Sequence, residues 1–488
     1  MSSEKREEYY YSGWGRLLGE YTSMKTPVDT TFLQKDFKKS SRYFIFAFLF
    51  FLACLIITVV ALHSYLALTQ PSCGGVLKGP ISKACKDFCT ISIVESIPEN
   101  LTYPHSELIH PSVYSGWLNL LKSAEHSLSI ASSYWTLRGK DTQTDDPSTA
   151  WGEHIFNELV ATAKRGVKIR IVQSAAEPDK NQDTKDLMQM GLAEVRSLNL
   201  TRLVGSGILH TKMWLVDGKH FYLGSANLDW RSLTQVKELG FMTYNCSCLG
   251  NDISKIFEAY WMLSLPDSKI PKPWPKAYDT NINLDTPANI TINTTYSTGI
   301  YLASSPAKLC PSGRSVDIDA ILNVINSANE YIYIEVMDYF PTTLYEYPRM
   351  YWPIIDDALR KAAFDRGVHV RLLAGLWKHT RPDLKNFLKS LSAINGSNKA
   401  VVETQFFKVP VYSEAQARIP YARVNHDKFM VTETTAYVGT SNWAADYFLY
   451  TAGIGYVIQD QSKGDSSIRK ELKALFERDW YSAYVVPV

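Results

Sequence analysis

One pattern occurs twice in this sequence, and the duplication constrains the fold more than any other feature. Each copy contains an apolar, alternating stretch typical of a β-strand, then a helix end followed by Gly and a second short strand, and finally a closing helix. We therefore expect two structurally equivalent halves. The matched segments are Leu128–Thr136 with Ile332–Phe340, Arg165–Arg170 with Arg366–Arg371, and Ile256–Trp261 with Leu475–Trp480.

Helical and strand patterns alternate within each copy, which predicts an α/β fold with a mixed sheet flanked by helices in each half. The 488 residues exceed what one core usually organises, so we expect the two halves to join into one bilobal unit. The predicted boundaries are a first repeat over 85–264, a proline-rich exposed connector over 265–300, and a second repeat over 301–488. Before strand Val167–Val172, one helix presents an apolar face made by Trp151, Ile155, Phe156, Leu159, Val160 and Ala163.

An uncharged stretch of twenty residues, Tyr43–Leu62, has the length of a membrane-spanning helix. Basic residues lie just before it and none lies just after it, so the positive-inside rule places residues 1–42 in the cytosol. A stalk over 63–84 then leads to the repeats. The chain is therefore predicted to be a type II, single-pass membrane protein. The flanking basic residues are Lys35, Lys38, Lys39 and Arg42.

The net charge of +2 excludes a uniformly basic, histone-like surface. Met1–Arg42 contains eight Lys and Arg against six Asp and Glu, which accounts for the whole excess. The rest of the chain is neutral while its ten histidines are neutral. Below about pH 6 these histidines would gain charge, so we expect this part to bind anions better in acid.

Six of the seven cysteines lie outside the predicted span, and an even number suits disulfides in an oxidising compartment. The sequence alone leaves fifteen pairings open. A zinc site is the alternative for Cys85, Cys89, Cys246 and Cys248, although their spacing differs from that of usual zinc clusters. Six glycosylation sequons agree with exposure to the lumen, at Asn100, Asn199, Asn245, Asn289, Asn293 and Asn395.

A His-x-Lys motif recurs at the same place in both copies. Each motif begins a strand, which is followed by a tight turn and a second strand that ends in Asn. Because residues i and i+2 of a strand face the same way, the His and Lys of each motif point together, where the Asn can reach them. The two sets are His210, Lys212 and Asn227, and His426, Lys428 and Asn442.

Two His, two Lys and two Asn are what a phosphodiester site needs without a metal or another cofactor. The lysines and amides bind the nonbridging oxygens and stabilise charge in the transition state. One imidazole attacks phosphorus and forms a phosphohistidine, and the other protonates the leaving oxygen and then activates water or an alcohol. Asp217 and Glu433 each follow their motif His by seven residues, and we expect these carboxylates to orient a His or Lys of the site.

These residues resemble the phospholipase D superfamily, whose signature is His-x-Lys-x4-Asp followed by Gly-Ser-x-Asn. The first copy matches it fully, whereas the second has Glu433 in place of Asp and Thr440 in place of Ser. The resemblance implies two phospholipase-D-like domains, with His210 as the nucleophile and His426 as the general acid and base. The residues it implies for binding the substrate phosphate are Ser225, Asn227, Thr440 and Asn442.

Further segments narrow the resemblance to the type II membrane branch of phospholipase-D-like proteins of endosomes and lysosomes. That branch implies a 5′ exonuclease for single-stranded DNA and RNA in acidic compartments, which limits nucleic-acid sensing by innate receptors. It also implies a route through the endoplasmic reticulum and Golgi, proteolytic release of a soluble lumenal form, and disulfides Cys85–Cys248 and Cys89–Cys246, with Cys73 and Cys310 unassigned. The segments that carry the likeness are Ser225–Gly240, Tyr244–Ser247, Ile419–His426 and Phe476–Trp480.

Two other functions stay open. A lipid phosphodiesterase or transphosphatidylase would use the same histidines, and a non-catalytic glycoprotein would retain only a relic of the site; the intact His and Lys in both copies argue against the relic. The aromatic residues Tyr134, Trp135 and Tyr339 either stack on nucleic-acid bases or pack in the core. The partners expected are single-stranded nucleic acid and the membrane, with phospholipid and a second copy of this chain as further candidates.

Overall fold

The computed structural model describes residue 58 and residues 85, 87–176, 181–293, 296–460 and 467–488. The predicted tail, the predicted stalk and, apart from Thr58, the predicted membrane-spanning helix lie outside these residues. Within the described residues, no helix combines the length and the apolar character needed to cross a membrane. The chain divides into two compact units, Met1–Gln70 and Pro71–Val488, and everything described from Cys85 onward belongs to the second.

The first repeat builds one mixed sheet of seven strands. Among its described residues the repeat has nine strands, and of these strands the short β3 and β8 pair only with each other: β1 (Phe88–Ser96), β2 (Ser127–Ser132), β3 (Trp135–Thr136), β4 (Lys168–Ser174), β5 (Glu194–Leu198), β6 (Met213–Val216), β7 (His220–Gly224), β8 (Leu228–Asp229) and β9 (Glu238–Tyr244). Its helices are α1 (Val113–Ser123), α2 (Ala150–Lys164), α3 (Gln182–Gln189), α4 (Leu200–Val204), α5 (Arg231–Thr234) and α6 (Ser247–Leu263). The strand order is β5-β4-β2-β6-β7-β9-β1, with parallel pairing from β5 to β2 and antiparallel pairing beyond.

The second repeat builds the same sheet again. After β10 (Ala288–Ile292), its strands are β11 (Tyr296–Ser305), β12 (Ser315–Val316), β13 (Tyr331–Val336), β14 (Tyr339–Phe340), β15 (His369–Gly375), β16 (Val401–Phe407), β17 (Lys428–Thr432), β18 (Thr435–Gly439), β19 (Trp443–Ala444), β20 (Gly453–Asp460) and β21 (Val485–Pro487). Its helices are α7 (Asp317–Ser327), α8 (Ile354–Arg366), α9 (Leu384–Ser392), α10 (Glu414–Arg418), α11 (Ala445–Leu449) and α12 (Ser467–Trp480). The order β16-β15-β13-β17-β18-β20-β11 repeats that of the first sheet, which confirms the predicted α/β pseudo-repeat.

Strand β10 joins the two sheets, because it pairs in parallel with β1 and antiparallel with β11. The prediction of an exposed connector over 265–300 is therefore wrong for its second part: Ile290, Ile292 and Ile300 are fully buried. The physical reason is alternation, since Ile290 and Ile292 face the core while Asn289 and Thr291, which alternate with them, are exposed. The prolines that suggested a connector lie before this strand.

One apolar core spans both repeats. It combines Phe221 and Phe241 of the first sheet with Phe429 and Tyr456 of the second, together with the apolar residues of α6 and α12. The opposite face of the first sheet packs against α1 and α2, and that of the second against α7, α8 and α9. Both sheets are thus buried on both faces, so their central strands are continuously apolar rather than alternating.

Local sequence accounts for the turn between β6 and β7. Asp217 and Gly218 both adopt positive φ angles, 50° and 65°, as expected for an Asp-Gly hairpin turn. The predicted apolar helix face also forms within α2, with one exception. Trp151 is 41% exposed and stacks on Tyr114 with ring centroids 4.5 Å apart, so it covers the surface instead of entering the core.

Two disulfides fasten β1 to the start of α6. Cys85 pairs with Cys248 and Cys89 pairs with Cys246, with Cα atoms 6.0 and 4.7 Å apart. These are the pairs that the resemblance implies, so the four sulfurs bond to one another rather than to zinc. Cys310 is buried and unpaired among the described residues, and Cys73 lies outside them.

Five of the six sequon asparagines are exposed, at Asn100, Asn199, Asn245, Asn289 and Asn395. Asn293 differs, because its side chain bridges the backbone of β1. Its Nδ2 donates to Ile91 O and its Oδ1 accepts from Ile91 N, both at 3.2 Å. Asn293 is therefore less exposed than the other five asparagines, although a glycan would leave one Nδ2 hydrogen to donate to Ile91 O.

Candidate active site

Backbone pairing between the repeats positions both His-x-Lys motifs. His210 N donates to Ala452 O (2.9 Å), and Ala452 N donates to Ile208 O (3.0 Å). The second motif makes the equivalent contact with the segment before β9, where His426 N donates to Lys237 O (2.8 Å). This twofold arrangement brings His210 and His426 to the wall of one cavity of about 430 Å³.

Each motif lysine is buried beside its own histidine. The Nζ atoms of Lys212 and Lys428 donate to the backbone oxygens of His210 and His426, respectively, each at 2.6 Å. Burial and the charge of Lys428 hold the pKa of Lys212 well below its ordinary value, and burial lowers the pKa of Lys428 to about 8. Two desolvated ammonium groups that repel each other favour an anion between them, because the anion would offset both the cost of desolvation and the repulsion between the two charges.

The ring of His210 is held by a neutral acceptor from the other repeat. Its Nδ1 lies 2.9 Å from Thr440 O. A carbonyl oxygen can only accept a hydrogen bond, so the proton lies on Nδ1 and Nε2 keeps its lone pair. Burial, and then the charges of Lys212 and Lys428, hold the pKa of His210 well below its ordinary value. A neutral imidazole with a free Nε2 is the form that a nucleophile requires.

The ring of His426 has a carboxylate partner in addition to the backbone of Ser225. Its Nδ1 lies 2.8 Å from Glu238 Oε2, and Glu238 Oε1 accepts from Ser232 Oγ at 2.7 Å. Burial raises the pKa of Glu238 to about 7, while burial and the two motif lysines hold the pKa of His426 well below its ordinary value. Burial thus raises the proton affinity of the carboxylate and lowers that of the imidazole, so a proton held by the pair can lie on either group.

The two motif asparagines, Asn227 and Asn442, line the same cavity. Asn442 Nδ2 donates to Asp338 Oδ2 and to Tyr447 OH, both at 3.1 Å. Burial raises the pKa of Asp338 to about 6. Both amides therefore share the wall of this cavity with His210 and His426.

Comparison with known proteins identifies the family. The family model described as "PLD3/4, PLD-like domain" matches residues 106–412. The 5′-3′ exonuclease PLD3 of Xenopus laevis is 48% identical over 435 residues, which cover 88% of this chain and 87% of that protein. The 5′-3′ exonuclease PLD4 of Mus musculus is 41% identical over 415 residues, which cover 84% of this chain and 82% of that protein.

The chain belongs to the PLD3/4 family. Among solved structures, phosphatidylserine synthase of Haemophilus influenzae Rd KW20 resembles it with a TM-score of 0.53 at 10% identity, over 82% of this chain and 89% of that one. A likeness at this identity concerns the fold alone.

Glu238 belongs to the site of this PLD3/4 family member, although the repeated motif does not point to it. The one signal in the sequence is a charge at the start of the otherwise apolar strand β9. The second repeat has Gly453 at the equivalent position. Glu238 precedes Leu239, whose oxygen accepts from Ser225 N, and Gly453 precedes Ile454, whose oxygen accepts from Thr440 N. A Cβ at Gly453 would lie 2.3 Å from Ser441 Oγ, so the second repeat has no room for a carboxylate there.

The predicted roles of Asp217 and Glu433 are wrong. Roughly 20 Å of extended chain separates each from its motif histidine, because the hairpin turn lies at the far end of the strand. Each carboxylate instead accepts backbone N–H bonds at the start of the neighbouring strand, β2 or β13. Asp217 accepts from Glu125 (2.9 Å), His126 (2.9 Å) and Ser127 (2.7 Å), and Glu433 accepts from Asn329 (2.7 Å) and Glu330 (3.3 Å).

The prediction that Ser225 and Thr440 bind phosphate through their side chains is also wrong. Ser225 Oγ donates to Leu239 O (3.1 Å) and accepts from Leu239 N (2.9 Å). Thr440 Oγ1 accepts from Ile454 N at 3.0 Å. Both hydroxyls are fully buried and hold the Gly-Ser or Gly-Thr turn against the next strand.

The three aromatic residues near the repeat strands divide between the two uses considered for them. Tyr134 lines the cavity and donates its hydroxyl to Asp229 Oδ2 at 3.1 Å. Trp135 and Tyr339 are buried in the cores of their repeats. Of the three, only Tyr134 can therefore contact a substrate.

Lys237, next to Glu238, does not line the cavity but holds the backbone of the site in place. Its buried ammonium group bonds to Asp427, to Glu335 (3.0 Å) and to Asp479 (2.8 Å), all in the second repeat. These three carboxylates are grouped closely enough to hold a cation, and the ammonium takes that place. Because Lys237 O also accepts from His426 N, this cluster ties the backbone of His426 to the first repeat.

Proposed function

We propose that this protein is a 5′ exonuclease that hydrolyses single-stranded DNA and RNA through a phosphohistidine intermediate. The observation that carries the proposal is the meeting of His210 and His426 at one cavity beside two buried lysines. Its direction and substrate class are supported by the identity of 48% to a protein named as a 5′-3′ exonuclease.

The two histidines have different surroundings and take different roles in the proposed reaction. His210 Nε2 attacks phosphorus, and the P–O bond to the leaving oxygen breaks as that oxygen receives the proton from His426 Nε2. His426 then takes a proton from water, whose oxygen attacks phosphorus while the P–N bond breaks and His210 regains its lone pair. Lys212 and Lys428 stabilise the charge on the nonbridging oxygens throughout.

The proposed location is the lumen of endosomes and lysosomes, reached as a type II membrane protein. Support comes from the uncharged stretch Tyr43–Leu62, from two disulfides and from five exposed sequons. An acidic lumen also suits a His–Glu pair whose carboxyl has a pKa of about 7, because the pair would hold its proton there.

The test uses the full chain at about pH 5 with single-stranded oligonucleotides labelled at the 3′ end, in the presence of a chelator. Free and blocked 5′ ends are compared, and His210→Ala serves as the control. Stepwise shortening from a free 5′ end, absent in the variant, is the expected result. Failure of the folded wild-type protein to shorten any oligonucleotide would refute the proposal and favour phospholipid transfer instead.

The adduct itself identifies the nucleophile. Quenching with an alkaline denaturant during turnover of an oligonucleotide should preserve the acid-labile P–N bond and trap the phosphoryl adduct on His210, located by peptide mass spectrometry. His426→Ala should accumulate the adduct if the leaving group departs without acid assistance. Label found on His426 in the wild type would reverse the assignment of the two roles.

A further inference from the structure

A second cavity adjoins the active-site cavity and is strongly basic. It has a volume of about 670 Å³ and shares Trp377, Pro420 and Tyr421 with the active-site cavity. No Asp or Glu is among its lining residues. We call this cavity the basic annex; the charged and titratable side chains in its wall are Lys378, His379, Lys408, Arg418 and Arg423.

The buried member of this group, Arg423, carries a positive charge that no bonded carboxylate offsets. It is 4% exposed, and its guanidinium donates to two backbone oxygens and to Gln235 Oε1, while Nη2 has no hydrogen-bond partner. Within the described residues it forms no ion pair. Glu99, the nearby carboxylate, instead accepts from Gln235 Nε2 at 3.0 Å. A buried guanidinium bonded only to neutral groups favours an anion nearby.

The other cations of the annex are exposed and available. Lys378 and Lys408 have no carboxylate partner within the described part of the chain. Arg418 lies 3.8 Å from Glu414, but both side chains are largely in solvent, so this pair neutralises little of its charge. The annex therefore gathers positive charge in a protein that is otherwise nearly neutral.

Aromatic rings line the passage between the two cavities. Tyr421 is 61% exposed and stacks on His379, with ring centroids 4.9 Å apart and planes inclined by 24°. Trp377 meets His379 edge-on at 4.7 Å. Exposed rings beside a row of cations are the usual elements of a single-strand binding track, because bases stack on the rings while the cations bind the backbone.

We infer that the basic annex binds the nucleic-acid strand that remains attached beyond the scissile phosphate. Its cations contact one or two further phosphates, and a base stacks on Tyr421 at the passage. This inference rests on the proposed function and adds to it: the active-site cavity holds the reacting end, and the annex makes the enzyme prefer a polymer to a dinucleotide.

The test is a length series with the full chain and the double variant Lys378→Gln/Lys408→Gln. For oligonucleotides of about two to twenty residues, the wild-type kcat/KM should rise with length and then level off. The variant should lose about fivefold to tenfold in kcat/KM on long strands through KM, and nothing on a dinucleotide. The slope of log kcat/KM against log salt should fall by about 1.4, for two lost phosphate contacts.

A matched control separates this effect from a general loss of charge. Lys361→Gln/Lys399→Gln removes two exposed lysines that line neither cavity, and should leave the length series unchanged. Equal losses in both double variants, or equal losses on dinucleotides and long strands, would overturn the inference. So would retained oligonucleotide kinetics with lost binding to phosphatidylserine vesicles, because the annex would then serve a membrane. A wild-type protein that cleaves no oligonucleotide refutes the proposed function itself.

Discussion

Glu238→Gln should impair the acid–base step while leaving the fold intact. Gln has the shape of Glu, and its side-chain oxygen can still accept from Ser232 Oγ, which lies 2.7 Å from Glu238 Oε1 in the wild type. Its amide nitrogen would then face His426 Nδ1, which lies 2.8 Å from Glu238 Oε2. An amide donor forces Nδ1 to accept, so the neutral ring carries its proton on Nε2 and cannot take a proton from water there.

The size of the effect follows from the bond that is lost. A hydrogen bond to a charged group contributes about 1.5 to 3 kcal/mol. At about 1.4 kcal/mol per tenfold change in rate, kcat should fall by roughly 10- to 100-fold. His426 acts as the acid when the phosphohistidine forms and as the base when it is hydrolysed, so both the formation and the hydrolysis of the adduct on His210 should slow.

The assay is single-turnover cleavage of a 3′-labelled oligonucleotide between about pH 4.5 and 7.5, with the adduct quantified after quenching. Glu433→Gln is the matched control: it removes a carboxylate from the second repeat that bonds to Asn329 N and Glu330 N, and it should leave the pH profile of kcat unchanged. An unchanged profile in Glu238→Gln, or an equal loss in both variants, would refute the reasoning.

Three further predictions concern stability. The free energy of unfolding should rise as pH falls from 7 to 5, because burial raises the pKa of Asp317 to about 7 and of Asp338 to about 6, from 3.8. The folded state then holds protons that the unfolded chain releases, and this contribution to stability is lost as pH rises through the folded pKa. The lowered pKa of His210 and His426 has the opposite effect on stability. A denaturation midpoint that is lower at pH 5 than at pH 7 would contradict the predicted increase. Cys246→Ser opens the inner of two nested disulfides while Cys85–Cys248 still closes the long loop, so it should cost about 2 kcal/mol by chemical denaturation, and Cys310→Ser, at the unpaired cysteine, should cost less. Lys237→Met leaves three buried carboxylates around an apolar side chain and should destabilise the fold by about 3 to 5 kcal/mol, visible as a lower Tm than that of the surface variant Lys361→Met.

The features that the sequence predicts well are those encoded by short segments and repeated twice. Strand parity places His210 with Lys212, and the duplication indicates that His426 belongs to the same site. The roles of Asp217 and Ser225 are different, because their partners are backbone groups of β2 and β9 that only the strand pairing brings near. A motif marks a side chain as constrained, but long-range register decides whether it meets the substrate or a neighbouring strand.

The asymmetry at Glu238 shows why a duplicated motif does not make two equivalent histidines. One phosphodiester reaction needs one imidazole with a free lone pair and another that carries a proton, at the same pH. Equal surroundings would give both rings the same proton affinity, so at least one would be in the wrong form. Thr440 O and Glu238 make the two rings different. The carbonyl fixes the Nδ1 proton of His210, whereas the carboxylate lets His426 gain and lose its second proton. At Gly453 a Cβ would lie 2.3 Å from Ser441 Oγ, so the two repeats share a backbone pattern but differ in whether a carboxylate stands beside the histidine.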